Sequence, residues 1–195
     1  MSFLRSDENC WLGRDNKIAD EDSIKVTIFG GGITGKAIAD FMADRDAEVF
    51  LTDVGKLDGE TKKFLKKRDV SFEESGHSSR ALRSQLIVLS PGVPPDIPIL
   101  RECRNRGITI IGEIELAYHF FSGGTLVGIT GTNGKTTTTI MLRRILNHNE
   151  LSAISCGNIG EPFISKLSNL SSNEVVIVEV SSYQLQTIKD FRPDV

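Results

Sequence analysis

The chain lacks any long apolar run. No stretch approaches the ~20 residues a membrane-spanning helix needs, so no membrane is expected as a partner. Its first residues, MSFLRSDENC, lack an apolar core and do not read as a secretory signal. Cysteine is scarce. Cys10, Cys103 and Cys156 are odd in number, widely spaced and without a CxxC pair, which argues against a zinc site and a disulfide framework. They read as buried or idle thiols in a reducing cytoplasm. The histidines His77, His119 and His148 lack metal-ligand spacing and read as surface or helix-end residues. A net charge of −3 gives no electrostatic reason to expect nucleic acid. Internal repeats and low-complexity tracts are also missing.

What the chain does have is an alternation of strand and helix patterns. Residues 1–23 are polar, acidic and aperiodic, and read as an extension. IKVTIF (24–29) is a β-branched run ending in glycines, the pattern of a buried strand. A helical spacing follows over 33–45, then a strand over 48–52. Asp58 is placed to cap a helix through ETKKFLKKR, whose basic end suits the negative end of the helix dipole. VSFEE and LIVLS (86–90) read as strands. Asp96 is expected to cap a helix through Arg106, with Gly107 as its stop. ITII (108–111) and GEIELAYHFF (112–121) complete a first unit over 24–121. SGG at 122–124 is the expected hinge.

The alternation then restarts. TLVGIT (125–130) reads as a strand, with a helix from the following loop to about Asn147. LSAIS (151–155) and EVVIVEV (174–180) read as strands, Pro162–Leu170 and SYQLQTI as helices, and RPDV as the approach to a further strand. The fold class is α/β. Parallel sheets with helices on both faces are expected, with ligands at the carboxyl ends of the strands.

Two glycine-rich loops sit at such ends. Gly30, Gly32 and Gly35 form GxGxxG between a strand and a helix. Such glycines permit a tight turn and a close backbone approach to a diphosphate at the helix N-terminus. Asp53 ends the next strand, where an acid usually meets a nucleoside ribose. The motif implies a nucleoside diphosphate without naming the nucleoside. NAD(H) and a UDP-linked substrate both fit.

The second loop, GITGTNGKTTT (128–138), departs from G-x-x-x-x-G-K-[ST] because Ile129 stands where the first glycine belongs. Gly131, Thr132, Asn133, Gly134, Lys135, Thr136 and Thr137 nevertheless form a phosphate cradle. Backbone N–H groups surround phosphate oxygens, Lys135 reaches the terminal phosphates and the Thr136 hydroxyl binds Mg²⁺. Glu179, near the end of an apolar strand, needs a partner to offset its desolvation, and Mg²⁺ beside the loop would supply one. Lys135 and Glu179 are therefore the candidate catalytic residues.

TGTNGKTT (130–137), GNIG (157–160) and EVSSYQL (179–185) resemble the Mur ligases of peptidoglycan synthesis. GGGITG, SPGVP (90–94) and GEIEL (112–116) fit the branch that adds D-glutamate, in the same order. The resemblance runs from about Lys25 to Val195. It implies a Rossmann-like, parallel-sheet N-terminal domain (24–121), followed by the first part of a P-loop ATPase-type central domain (125–195). It also implies a cytoplasmic, monomeric enzyme that uses ATP and Mg²⁺. ATP phosphorylates the carboxylate of UDP-N-acetylmuramoyl-L-alanine, and the amine of D-glutamate attacks the acyl phosphate.

Carried over, Ile33, Thr34, Asp53, Ser90, Pro91, Gly92 and Asn158 would contact the UDP-sugar, with Ser181 near its muramoyl or alanyl end. Thr136 would hold Mg²⁺, and Glu179 a second Mg²⁺ near the transferring phosphoryl group. The family supplies a downstream histidine, a carbamylated lysine and a C-terminal amino-acid-binding domain beyond these residues, so the chain is expected to be an N-terminal portion unable to ligate alone. Other readings are a sibling ligase that adds a different amino acid or extends folate, an NAD-dependent dehydrogenase, and a non-catalytic nucleotide-binding module.

Overall fold

A computed structural model of the protein describes residues 23–195. The extension expected over residues 1–23 lies, Ser23 apart, outside the described residues, as does Cys10. Among the described residues no helix is long and apolar enough to cross a membrane.

Five parallel strands form the first sheet: β1 (Lys25–Phe29), β2 (Glu48–Thr52), β3 (Ser71–Glu73), β4 (Leu86–Leu89) and β5 (Thr109–Gly112). Their order is β3-β2-β1-β4-β5, with Val26 opposite both Val49 and Leu86. β1 and β4 are buried nearly throughout, which explains their unbroken apolar sequences. The order reverses between β1 and β4, so a crevice opens there at the carboxyl ends.

Helices α1 (Ile33–Ala43), α2 (Gly59–Lys67), α3 (Pro98–Asn105) and α4 (Glu113–Phe120) cover this sheet. α2 starts as expected: the Asp58 carboxylate accepts from the Thr61 N–H at 2.7 Å. α3 does not. Its cap is Ile97, held at φ −62° and ψ 151°. Proline at the first helical position forces the preceding residue into extended backbone, and Pro98 therefore sets the start. Asp96 is left to pair with Arg101 at 3.6 Å.

A second parallel sheet holds β6 (Thr125–Ile129), β7 (Ala153–Gly157) and β8 (Val175–Glu179) in the order β6-β8-β7. Helix α5 (Lys135–His148) follows the second glycine loop. β7 begins two residues later than LSAIS suggests. The Asn147 side chain donates to Ala153 O at 3.0 Å and accepts from Ala153 N at 2.9 Å, so residues 149–152 are spent closing the turn. The helix expected over Pro162–Leu170 is a short α6 (Phe163–Lys166) continued by a 3-10 turn, and α7 covers only Ser182–Leu185. RPDV lies along β6: Asp194 N donates to Leu126 O at 2.8 Å and Gly128 N to Val195 O at 2.9 Å.

One apolar cluster runs through both sheets, from Val26 and Leu51 through Ile114 and Phe163 to Val176 and Val178. Two carboxylates of α4 reinforce this junction. Buried Glu113 accepts from the Ile164 N–H at 2.7 Å. Burial pushes its carboxyl up to about 7, against the hydrogen bonds from Ile164 and Phe163. Glu115 accepts from the N–H groups of Lys189, Asp190 and Phe191 at 3.0, 2.8 and 3.0 Å. Burial opposes its charge, but these bonds and His119 outweigh it and hold the group below the ordinary carboxylate range. Hydrogen bonds to a charged acceptor contribute about 1.5–3 kcal/mol each, so Glu115 is a substantial fastener. His119 is a helix-end residue, as expected: it lies in the last turn of α4, with its Nε2 3.1 Å from Glu115. Cys103 and Cys156 are buried, as expected, and burial pushes both thiols up.

Candidate functional site

The first glycine loop is built by close packing. A Cβ on Gly35 would lie 1.8 Å from the Gly30 carbonyl oxygen, so the first turn of α1 can rest on the loop only if residue 35 is glycine. A Cβ on Gly32 would meet nothing within 4 Å, and that backbone is open from outside. Two neighbouring strand ends hold the loop. The Gly31 N–H donates to Asp53 Oδ2 at 2.6 Å, and Ser90 Oγ donates to Gly30 O at 3.1 Å. Gly30, Gly32, Ile33, Thr34 and Gly35 after β1, Asp53 after β2, and Ser90, Pro91 and Gly92 after β4 therefore lie at the carboxyl ends of three adjacent strands.

Asp53 does more here than its sequence role implies. Its second oxygen accepts from Gly55 N at 2.7 Å, so the carboxylate shapes both loops. Ile33, which opens α1 after the first loop, and Val54, which follows Asp53, are apolar side chains each 71% exposed.

The second loop runs from Gly131 to Gly134 between β6 and α5, and Gly134 takes the left-handed conformation at φ 78° that a side chain would disfavour. Lys135 Nζ donates to Gly131 O at 2.7 Å, which places the ammonium group across its own loop. Thr136 Oγ1 donates to Glu179 Oε2, and Asn158 Nδ2 to Glu179 Oε1, both at 2.9 Å. Glu179 is 1% exposed. Its two oxygens are thus aimed by one residue from the glycine loop and one from GNIG. Thr132, Asn133 and Thr137 lie exposed on the same loop and first helical turn. A hydroxyl and a buried carboxylate in contact are hard oxygen donors of the kind Mg²⁺ prefers, so the residues present fit that ion.

Ser181 is placed differently from the rest. Its hydroxyl caps α7, in a reciprocal box with Gln184. The segment it begins does reach the first crevice: Tyr183, Gln184 and Thr187 line a small cavity with Ser90, Pro91 and Glu113. Gln184 is 5% exposed, and its Nε2 has no hydrogen-bond partner among the described residues. Motif reading passed over Gln184 and Glu113. The available signal was a polar residue repeated inside an otherwise buried element, as in GEIEL.

Residues 25–99 match the MurD N-terminal domain and residues 129–195 the Mur ligase middle domain, together most of the chain. The chain belongs to the Mur ligase family. A UDP-N-acetylmuramoylalanine–D-glutamate ligase of Chlorobaculum tepidum is 39% identical over 174 residues, covering 87% of this chain and 37% of that protein. A ligase of the same name from Lachnoclostridium phytofermentans is 38% identical, covering 88% of this chain and 38% of its own length. This Mur ligase chain thus spans less than two-fifths of these relatives. Among solved structures, a pseudomurein peptide ligase type C from Methanothermus fervidus aligns at 25% identity and a TM-score of 0.47, covering 82% of this chain and 33% of that one.

Proposed function

We propose that the chain forms the nucleotide-binding part of a ligase that joins D-glutamate to UDP-N-acetylmuramoyl-L-alanine with cleavage of ATP. The observation that carries this reading is the presence of two phosphate cradles of different type on one chain, with the Ser181–Thr187 segment running from the second toward the first. An ATP-dependent ligation between a nucleotide-linked acid and an amine requires two such cradles. The named relatives support the choice of substrates.

In this reading the Gly30–Gly35 loop, Ser90, Pro91 and Gly92 hold the UDP diphosphate, with Asp53 beside the ribose and Ile33 and Thr34 toward the uridine. Asn158, Ser181 and the free amide of Gln184 face the muramoyl-alanyl end. Residues Gly131–Thr137 hold the phosphates of ATP, and Thr136 and Glu179 hold Mg²⁺. The ion supplies charge neutralisation on the phosphates when bound. Lys135 adds a second positive charge, and Asn158 fixes the Glu179 carboxylate so that no reorganisation is needed when phosphate charge develops. The enzyme acts as a cytoplasmic monomer in keeping with the family resemblance.

Calorimetry of the chain against two ligands tests the assignment of the first loop. UDP-N-acetylmuramoyl-L-alanine is expected to bind at least tenfold more tightly than NADH. Tighter binding of NADH would return the loop to a redox cofactor and overturn the reading.

A further inference from the structure

His77 falls outside every motif, yet it is tied into the end of the first sheet. Its Nδ1 lies 2.7 Å from the Oγ1 of Thr52, the last residue of β2, and its ring packs on Phe29, the last residue of β1, at 4.7 Å. Thr52 is fully buried. Its hydroxyl also lies 2.7 Å from Glu73 Oε1. Burial opposes the charge on Glu73, but hydrogen bonds from Ser78 and Thr52 outweigh it and hold the group below the ordinary carboxylate range, so it accepts only.

These contacts fix a tautomer. Thr52 has one hydroxyl proton, and it goes to the Glu73 carboxylate at 2.7 Å, with the Gly76 carbonyl a longer acceptor at 3.2 Å. The bond to His77 must then run the other way, with Nδ1–H donating to Thr52 Oγ1. Burial pushes the imidazole toward its neutral form, outweighing the opposing pull of Glu73 and Asp53. Nε2 is consequently an acceptor, and no hydrogen bond reaches it from the described residues. Nδ1 faces the buried Thr52, so Nε2 lies on the other side of a partly buried ring at the carboxyl end of β1 and β2. Gly76 N donates to Asp53 O at 3.2 Å, which keeps His77 next to the acid assigned to the ribose. Exposed Ile33 opens α1, and exposed Val54 follows Asp53 in the chain.

We propose that His77 is a specificity-determining residue for the nucleoside base, its Nε2 accepting a hydrogen bond from a ring imide N–H such as N3–H of uracil. Apolar side chains offer the base two surfaces, and one fixed acceptor selects its edge. The inference rests on the reading of the first loop as a uridine-nucleotide site. A site built around one hydrogen bond rejects a ligand that cannot make it, because the group the ligand covers is then left unpaired.

Titration of the 195-residue chain with UDP and with N3-methyl-UDP tests it. The unmodified chain is expected to bind UDP at least tenfold more tightly. His77→Phe keeps an aromatic ring against Phe29 and removes both nitrogens; it is expected to bring the two affinities within about twofold of each other. Equal binding of UDP and N3-methyl-UDP by the unmodified chain would overturn the role of His77 and leave the UDP site standing. So would a preference that survives in His77→Phe. Failure to bind either compound would remove the uridine site and this inference together.

Discussion

Glu179→Gln is expected to weaken binding of Mg-ATP on the order of 100-fold while leaving ATP in EDTA nearly unaffected. The physical basis is the loss of a buried anion. Glu179 is 1% exposed, and its oxygens are held by Thr136 and Asn158 at 2.9 Å. A carboxylate in that position is stabilised by a cation, and a cation bound there binds phosphate in turn. Glutamine keeps the size and one acceptor but removes the charge, so the Mg²⁺-dependent share of the affinity is lost. A 100-fold change corresponds to about 2.7 kcal/mol. Isothermal titration with and without EDTA reads it directly. An unchanged ratio between the two conditions would mean that Glu179 fastens Thr136 and Asn158 without holding a metal.

Gly35→Ala is expected to damage the fold, and Gly32→Ala only the ligand. The added methyl at position 35 would sit 1.8 Å from Gly30 O, a backbone atom that cannot rotate away. Either α1 lifts from the sheet or the loop opens. Both strain a region whose helix buries Ile38, Ala39, Phe41 and Met42. A cost of about 3 kcal/mol, the upper part of the range for overpacking, is expected in urea unfolding. At Gly32 the methyl meets no protein atom within 4 Å, and φ is −71°, which alanine adopts freely. Stability there should change by less than about 1 kcal/mol. UDP binding should fall at least tenfold, because the methyl occupies the surface that the diphosphate approaches. A stable Gly35→Ala protein with full UDP affinity would contradict the packing argument.

Strands and loops were legible in the sequence because local chemistry determines them. Doubly buried strands such as β1 and β8 need continuous apolar runs, and the glycines at 30–35 and 131–134 mark turns that side chains resist. Asp58 could be assigned because its partner lies three residues away. Asp96 misleads because Pro98 restricts its neighbour, an effect stronger than the acid's preference for a cap. The start of β7 depends on Asn147 clamping Ala153, a contact that no periodicity records. The α4 carboxylates find their partners about fifty and seventy-five residues downstream. His77 acquires its tautomer only through Thr52 and Glu73, which the fold brings together. Residues that carry a recognised motif were therefore placed early. Residues that orient them became visible only in three dimensions.

The central claim is that one chain holds two different nucleotides at two separate cradles. Titration of the chain with UDP-N-acetylmuramoyl-L-alanine in saturating Mg-ATP, and the reverse titration, tests it most directly. The account predicts one equivalent of each ligand, with both bound at once. Displacement of either nucleotide by the other would contradict it.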